Sequence, residues 1–398
     1  MSNEKYNEKL KLYQDAMLWN KPERVLFDPM IMSGWMALDA GYTAYEVNTD
    51  YEKGLAAQER YYQTYDPDMS VGPFRFYFNQ MNALGGSQNG YGVNGEGGNG
   101  ANTNVSYENV LSIDDYELLK QDEMKTIWEK VIFNLYPKAK NFTAKEFAEA
   151  VKVEVAFREA SKRATENNEK YGVLYAKSGP LFYCDCYVGM LFNQYRGIKS
   201  LAMDLRRHAD KVYDLCEYKD NESYEQKKAL MATVEPGMGV NNGCHYDVFL
   251  SSLAHTILNR KQVEKLIIAP WKKQIDLCVE KKKTLQGTVE GNWAFHGGIG
   301  EFLNEYPKGT MIVMVESDNP FEVRQKLPNI GIWGGLETDV MGQGTTEQCV
   351  AMAKKAIDEL GRDGGLLLAP NKMTTYKYDM KPENLKAVNE FVRNYKIN

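Results

Sequence analysis

The feature of this sequence that most restricts its fold is a pair of short apolar runs, each followed by a glutamate. Residues 309–315 and 330–336 are rich in β-branched or aromatic side chains, and glycine or polar residues bound them. Runs of this length and composition are typical of strands buried in a parallel sheet. The first run leads into Glu316 and the second into Glu337. We therefore expect two buried strands that carry carboxylates at their C-terminal ends.

A third strand is predicted over residues 289–295, directly before His296 and two glycines. Helical patterns separate these runs and recur along the chain, as in residues 345–360 and 382–395, and further strands are predicted over residues 172–177 and 364–370. The alternation of strand and helix predicts an α/β fold with a parallel sheet, closed or open. In a β/α barrel, sites are built at the C-terminal ends of the strands. His296 is therefore a candidate site residue together with the two glutamates.

A long helix is predicted over residues 143–171, where Thr143 can cap the N-terminus and Glu146 can complete a capping box. His208 and His255 lie on predicted helices and are assigned no role.

The N-terminal part of the chain predicts a helical extension over residues 1–22 and a first strand over residues 24–28. That strand ends at Asp28, a candidate for a polar contact with substrate. The loop after it carries Met30 and Trp35, large apolar side chains that predict either a substrate pocket wall or simple packing.

Two glycine-rich segments predict loops. Residues 85–104 contain eight glycines in twenty positions and no lysine, which excludes a regular helix and a phosphate-binding loop. Long loops in compact domains are usually functional or disordered, and we favour a loop insertion near the mouth of the site. Residues 234–244 precede His245, which either orients substrate or makes a structural hydrogen bond.

Composition restricts the class of protein. The formal net charge of −6 gives no reason to expect nucleic-acid binding. The sequence has no apolar run of the roughly 20 residues that cross a membrane, and its first residues have no apolar signal core. We therefore expect a cytoplasmic protein with one domain over residues 1–398. The six cysteines are scattered, and Cys184 with Cys186 predicts a pair of reduced thiols rather than a metal site.

Several motifs together resemble the uroporphyrinogen decarboxylase superfamily, from about residue 24 to the C-terminus. They are Gly179-Pro180, Phe-His-Gly-Gly at 295–298, Gly-Gly-Leu-Glu at 334–337, Gly-Thr-Thr-Glu at 344–347, Gly-Gly-Leu-Leu-Leu-Ala-Pro at 364–370 and Pro-Glu-Asn at 382–384. The resemblance implies a (β/α)8 TIM barrel, here with the N-terminal helical extension. It does not by itself give the reaction, because the superfamily includes both decarboxylases and corrinoid-dependent methyltransferases.

Two branches of that superfamily fit poorly. The loop after the first strand has no arginine to bind the carboxylates of a porphyrinogen, which argues against a true uroporphyrinogen decarboxylase. The coenzyme M methyltransferases use His-x-Cys and a distant Cys as a zinc site, whereas this chain has His296-Gly297-Gly298 and Glu337. Since thiolate-bound zinc suits a sulfur substrate, a thiol acceptor is not expected.

The third branch comprises the substrate-side methyltransferases of O-demethylase systems. They transfer a methyl group from a methyl ether to cob(I)alamin on a partner corrinoid protein, and their zinc pattern resembles Glu-x14-Glu-x20-His. Glu301 and Glu316 match the first two positions, while Glu337 stands where the pattern has His. The resemblance implies a Zn²⁺ site at these three glutamates, with His296 as a substitute imidazole. The alternative interpretation is that these glutamates are helix caps and surface acids.

The resemblance thus predicts a methyltransferase whose donor is a small methyl ether, with an aromatic ether favoured, and whose catalytic residues are His296 and Glu337. Asp28, Met30, Trp35 and His245 are the predicted substrate-binding residues. The alternatives are a non-catalytic barrel that binds a corrinoid protein or a small aromatic ligand, and a decarboxylase of the same superfamily. The sequence leaves open a homodimer and an N-methyl or S-methyl donor.

Overall fold

The computed structural model describes residues 2–73, 78–85, 110–176, 179–239 and 245–397. Contacts within the chain divide it into two compact units. The first unit comprises Met1–Val105, Tyr136–Lys177 and Gly331–Asn398, and the second comprises Ser106–Leu135 and Ser178–Ile330. The single domain expected over residues 1–398 stays a prediction.

The described chain is mainly helical. Its α-helices in chain order are α1 (Ser2–Leu18), α2 (Ser33–Ala40), α3 (Ala44–Thr49), α4 (Tyr51–Tyr65), α5 (Phe78–Ala83), α6 (Tyr116–Gln121), α7 (Glu123–Thr126), α8 (Phe133–Leu135), α9 (Ala144–Tyr171), α10 (Tyr187–Met190), α11 (Gly197–Arg207), α12 (Ala209–Ala232), α13 (Arg260–Val263), α14 (Ala269–Glu280), α15 (Ile299–Leu303), α16 (Pro320–Lys326), α17 (Thr338–Gln343), α18 (Thr346–Ala356) and α19 (Pro382–Asn394). Several continue as π-helical turns, at Ile127–Ile132, Leu191–Tyr195, Glu264–Ile268 and Ile357–Gly361. Short 3₁₀ turns lie at Ile113–Asp115, Ala139–Asn141 and Ala254–Ile257.

The strands are short and parallel. They are β1 (Phe182–Cys184), β2 (Val248–Ser252), β3 (Leu285–Val289), β4 (Met311–Met314), β5 (Gly331–Leu336) and β6 (Leu366–Pro370).

The second unit is built on a parallel sheet in which β1 pairs with β2, β2 with β3, and β3 with β4. Val248 lies opposite Leu285, which in turn lies opposite Met311, so the strands start almost level. All residues of β4 are buried, as expected for a strand covered on both faces. Because the strands are parallel and in step, the residues that follow β2, β3 and β4 emerge at the same edge of the sheet.

The first unit has its own parallel pair, β5 with β6, in which Ile332 lies opposite Leu366. Phe27 forms a parallel bridge to Leu368 on β6. The predicted strand over residues 24–28 therefore lies beside the last strand of the chain, although only as an isolated bridge. Closure of the sheet into the expected TIM barrel stays a prediction.

Helix boundaries follow the local signals in the sequence. Thr143 caps α9, since its Oγ1 accepts a hydrogen bond from the Glu146 backbone N–H, and the Glu146 carboxylate accepts one from the Thr143 backbone N–H. The helix ends at Gly172, which adopts a left-handed φ of 63°. The capping box predicted at these two residues is confirmed.

Several strand predictions were wrong or displaced. The strand predicted over residues 172–177 is only a bridge between Leu174 and Met69, and the strand predicted over residues 289–295 lies earlier, at Leu285–Val289. Strands β1 and β2 were not predicted, because runs of three and five residues are too short for alternation to show. The strands at 309–315, 330–336 and 364–370 are confirmed with slightly shorter bounds.

Apart from Gly85, the glycine-rich stretch 85–104 lies outside the described residues, as do residues 240–244 of the second glycine-rich loop. The predicted position of the first loop near the site therefore stays a prediction. Among the described helices, none combines the length and the apolar character that a membrane span requires.

Candidate active site

The C-terminal ends of β2, β3 and β4 gather ionisable side chains at one edge of the sheet in the second unit. His255 follows β2, Glu290 follows β3 directly, His296 lies further along the same loop, and Glu316 follows β4. We call these four residues the strand-end cluster. Histidines and carboxylates in this position can donate or accept protons, which makes the cluster the candidate active site of this unit.

The two histidines of the cluster are in contact. Their ring centroids lie 5.9 Å apart, and His296 Nε2 lies 3.1 Å from the backbone oxygen of His255. Because a carbonyl oxygen only accepts hydrogen bonds, Nε2 of His296 must carry a proton. The lone pair of a neutral His296 is therefore on Nδ1, the nitrogen left to act on a substrate. His296 is half-buried, whereas His255 is fully buried.

Burial sets the protonation of His255. Burial, and after it the neighbouring His296, lowers the pKa of His255 to about 4. Its Nδ1 lies 3.4 Å from the Ser252 hydroxyl at the end of β2. Its Nε2 is buried without a hydrogen bond of normal geometry to any residue in the described ranges. His255 is therefore neutral at physiological pH, and its backbone oxygen orients His296.

A second pair of groups in the cluster is acidic. Desolvation raises the pKa of Glu290, and the nearby charge of Glu316 raises it further. Glu316 accepts a hydrogen bond from the backbone N–H of Gly291, which fixes the start of the loop after β3. The raised pKa means that Glu290 keeps its proton to higher pH than an ordinary glutamate, so it is a candidate proton donor.

The loop that carries His296 is held by the segment after β4. Asp318 Oδ2 accepts hydrogen bonds from the backbone N–H groups of Trp293 and Ala294, both at 2.9 Å. The Trp293 indole N–H donates to the backbone oxygen of Met314 at 2.8 Å. These bonds tie the loop after β3 to the end of β4. The position of His296 is therefore determined by two strands rather than by its own loop alone.

Gly300 makes this arrangement sensitive to a single methyl group. A Cβ at Gly300 would lie 2.0 Å from the backbone oxygen of Ala294, a contact that only a backbone shift can relieve. We expect Gly300→Ala to displace the loop that carries His296 and to lower the unfolding free energy by about 2 kcal/mol or more, as overpacking does. Gly189→Ala is the matched control, since a Cβ there meets nothing within 4 Å. Urea unfolding of both variants checks this; equal stability of the two would contradict it.

The three predicted zinc ligands occupy different settings. Glu301 is exposed in the first turn of α15, and Glu316 binds Gly291 as described. Glu337 is exposed at the N-terminal cap of α17 in the first unit. Within the described ranges, no group of three or more His, Cys, Asp or Glu is arranged to hold a metal ion. The shared zinc site and the catalytic role of Glu337 stay predictions.

His245 lies before β2, at the amino end of the strand, with its ring edge-on to Tyr246 at 4.9 Å. Its role in substrate binding stays a prediction. Cys184 and Cys186 are buried free thiols, and burial raises the pKa of both well above the usual value. The expectation of reduced thiols at these two positions agrees with this burial.

The other predicted substrate residues lie in the core of the first unit. The Asp28 carboxylate is 4% exposed and accepts a hydrogen bond from the Met30 N–H at 3.1 Å. Met30 is buried with a φ of 50°, which is unusual for a residue other than glycine. The Trp35 indole N–H donates to the Met380 backbone oxygen at 2.8 Å, and its ring packs on Tyr61. All three side chains are packed, and substrate binding by them stays a prediction.

Asp28 should make stability depend on pH. Burial raises its pKa from 3.8 to about 6, so the folded protein holds this proton to higher pH than the unfolded chain does. The contribution of Asp28 to stability therefore falls as pH rises from about 4 to about 6. We expect Asp28→Asn to raise the unfolding free energy by about 1–2 kcal/mol at pH 8 and by little near pH 4. Denaturant unfolding at the two pH values measures this, and a loss of stability at pH 8 would contradict it.

The fold of this chain is similar to the folds of solved structures. One of the solved structures that it matches covers 97% of this chain and 98% of that structure's own chain, with a TM-score of 0.54 and 11% sequence identity. That structure is a methyltransferase from Methanosarcina mazei. No protein-family model matches the sequence, and no curated protein does. At this level of identity the similarity shows a shared fold, with mixed helices and parallel strands.

Proposed function

We propose that this protein is a methyltransferase that moves a methyl group from a small methyl ether, with an aromatic ether favoured, to the cob(I)alamin of a partner corrinoid protein. The observation that carries the proposal is the strand-end cluster, which places two histidines and two carboxylates where parallel strands end. The shared fold with a methyltransferase supports transfer of a methyl group. The superfamily motifs described above, including Phe-His-Gly-Gly around His296, are compatible with a corrinoid partner, and the spacing of Glu301 and Glu316 supports the ether donor.

The chemistry requires help for the leaving oxygen more than for the nucleophile. Cob(I)alamin is a strong nucleophile, whereas the oxygen of an ether leaves poorly as an anion. When the carbon–oxygen bond breaks and the methyl group passes to cobalt, a proton must reach that oxygen. A protein group that donates it in the transition state contributes about 10²- to 10⁴-fold to the rate.

His296 is the proposed proton donor. Its Nε2–H is engaged with the His255 backbone oxygen, so the proton for the substrate comes from Nδ1 of the imidazolium form. The product is then the free alcohol or phenol, and His296 is left neutral. Glu290 can return a proton to the site, because desolvation and Glu316 raise its pKa. His255 is a positioning residue that acts through His296.

Zinc would add a Lewis acid for the same oxygen. Carboxylates and an imidazole are donors that zinc accepts. One oxygen of Glu316 already accepts the Gly291 N–H, and the described residues gather no ready set of three ligands. Coordination by Glu301, Glu316 and Glu337 stays a prediction, and the proton transfers above involve protein groups alone.

A panel of methyl donors tests the proposal. Purified protein is mixed with cob(I)alamin and, separately, with 2-methoxyphenol, trimethylamine or dimethyl sulfide, and loss of the cob(I)alamin spectrum is followed. We expect consumption with the ether and little with the amine or the sulfide. Consumption with the amine or sulfide alone would refute the ether donor. Absence of consumption with all three would favour the non-catalytic alternative.

Glu316→Gln separates metal binding from loop support. Gln keeps the shape and can accept the Gly291 N–H, so the fold should be intact. If Glu316 binds zinc, the variant should hold less zinc and transfer methyl groups more slowly, by about tenfold or more. Elemental analysis and the cob(I)alamin assay measure the two effects. A variant that holds zinc and reacts like the parent would show that Glu316 only supports the loop.

A further inference from the structure

One face of the sheet in the second unit carries aromatic rings that are open to solvent. Tyr183 on β1 and Phe249 on β2 lie opposite each other, with ring centroids 5.9 Å apart in an edge-to-face arrangement. We call these two residues the aromatic pair. Tyr183 is 54% exposed and Phe249 is half-buried. Tyr246, just before β2, adds a third ring whose centroid lies 5.7 Å from that of Phe249.

The other face of the same strands is closed. Because side chains alternate between the two faces along a strand, Phe182 and Cys184 point away from the Tyr183 side. They are 8% and 0% exposed, and Lys227 on α12 lies over the Phe182 ring. Strands of a parallel sheet are normally buried on both faces, so the exposed ring of Tyr183 marks a surface with room for another molecule.

The open face continues to the strand-end cluster. Phe249 lies opposite Gln286 on β3, and every second residue after Gln286 returns to the same face. These residues are Thr288, which is half-buried, and Glu290, which is exposed and belongs to the cluster. The Glu290 N–H donates to the Ser252 backbone oxygen at 3.0 Å, so the sheet pairing extends to this level. The aromatic pair and the candidate active site therefore lie on one continuous surface.

The character of this surface changes from one level of the sheet to the next. Beyond the aromatic pair, Ser251 and Thr288 lie opposite each other and present hydroxyl groups. Glu290 and Glu316 follow where their strands end. A ligand that lies along the face would meet rings at one end and carboxylates at the other. Since four residues of a strand span about 13 Å, such a ligand is longer than one methoxybenzene ring.

We propose that the aromatic pair binds an aromatic ring of the methyl donor that lies remote from the ether oxygen, while the ether end lies at the strand-end cluster. The inference rests on the proposed function and narrows its substrate class to ethers with two rings. Aromatic rings favour edge-to-face or offset contacts with one another, and the exposed ring of Tyr183 is available for one more. A single-ring ether can occupy only the ether end of the surface, so it should react but bind less tightly.

Two phenols that differ in one ring test this inference. 4-Phenylphenol and 4-cyclohexylphenol have nearly the same length, and only the first has an aromatic second ring. Their dissociation constants are measured by ligand-observed NMR on the full chain, without cob(I)alamin. In Tyr183→Leu and in Phe249→Leu, the affinity for 4-phenylphenol relative to 4-cyclohexylphenol should fall by about three- to tenfold, because leucine keeps apolar contact but has no ring. Tyr218→Leu, at a tyrosine 47% exposed on α12, is the matched control and should leave the ratio unchanged.

A second measurement does not depend on how the leucine variants fold. In protein labelled with 3-fluorotyrosine, the fluorine signal that is lost in Tyr183→Phe should shift on addition of 4-phenylphenol, and the signal that is lost in Tyr218→Phe should not. A ratio unchanged in both leucine variants, binding of neither phenol, or an unshifted Tyr183 signal would each overturn the inference.

The outcomes separate this inference from the proposed function. Neither measurement contains cob(I)alamin, so ring binding can be found in a protein that transfers no methyl group. Conversely, methyl transfer by the parent protein together with an unchanged ratio in both leucine variants would refute the inference and leave the proposed function standing.

Discussion

Replacing His296 by glutamine should lower the rate of methyl transfer to cob(I)alamin by about 10²- to 10⁴-fold, the range for loss of a proton donor. The glutamine amide can still donate to the His255 backbone oxygen, which His296 Nε2 now contacts at 3.1 Å. The loop itself is held by Asp318 through the Trp293 and Ala294 N–H groups. We therefore expect the variant to fold normally, and the rate of cob(I)alamin consumption at saturating ether measures the loss.

The chain supplies a matched control for that experiment. His208 is exposed between α11 and α12, and no role is assigned to it. His208→Gln should react at the rate of the parent protein. If His296→Gln retained more than about one third of the parent rate while His208→Gln was unaffected, His296 would not be the proton donor.

Replacing Asp204 by asparagine should have the largest effect on stability, a loss of about 3–5 kcal/mol in the free energy of unfolding. Asp204 accepts hydrogen bonds from Arg196 Nε at 2.7 Å and Nη2 at 2.9 Å, and from the Tyr116 hydroxyl at 2.8 Å. The arginine and aspartate side chains are only 8% and 6% exposed. Because asparagine is neutral, the variant would leave a buried guanidinium without its counter-charge.

An exposed ion pair in the same unit provides the control. On α16, Lys326 Nζ lies 2.5 Å from Glu322 Oε1, and the two side chains are 58% and 45% exposed. Glu322→Gln should change the unfolding free energy by at most about 1 kcal/mol, because water screens the pair. Urea unfolding of both variants measures the difference. A loss of stability in Asp204→Asn as small as that in Glu322→Gln would show that the buried contacts of Asp204 with Arg196 and Tyr116 do not hold α11 in place.

The sequence predicted those parts of the fold whose signals are local. The strands near 330–336 and 364–370 were found because continuous apolar runs mark strands buried on both faces. The start of α9 was found because Thr143 and Glu146 form a capping box. By contrast, β2 spans only Val248–Ser252 and alternates weakly, so it was missed.

That missed strand had a consequence for the site. Because β2 was not predicted, His255 was placed on a helix and given no role. In the structure it lies just beyond the end of β2 and contacts His296. Glu290 was missed because the third strand was placed too late, which hid the carboxylate at its true end. Glu316 was singled out because the end of its strand could be located, and His296 was singled out although its strand was placed too late, because it lies on the loop after β3. The contacts that define the cluster join residues about 40 positions apart, as in His296 Nε2 to His255 O, and no local pattern encodes them.

The central claim is that the strand-end cluster catalyses methyl transfer, and one measurement tests it most directly. The full chain is incubated with cob(I)alamin and 2-methoxyphenol, and both the cob(I)alamin consumed and the 1,2-dihydroxybenzene released are quantified. We predict equal amounts of the two, formed only with the protein present and strongly reduced in His296→Gln. Release of 1,2-dihydroxybenzene without consumption of cob(I)alamin, or equal rates in the parent and His296→Gln proteins, would contradict the claim.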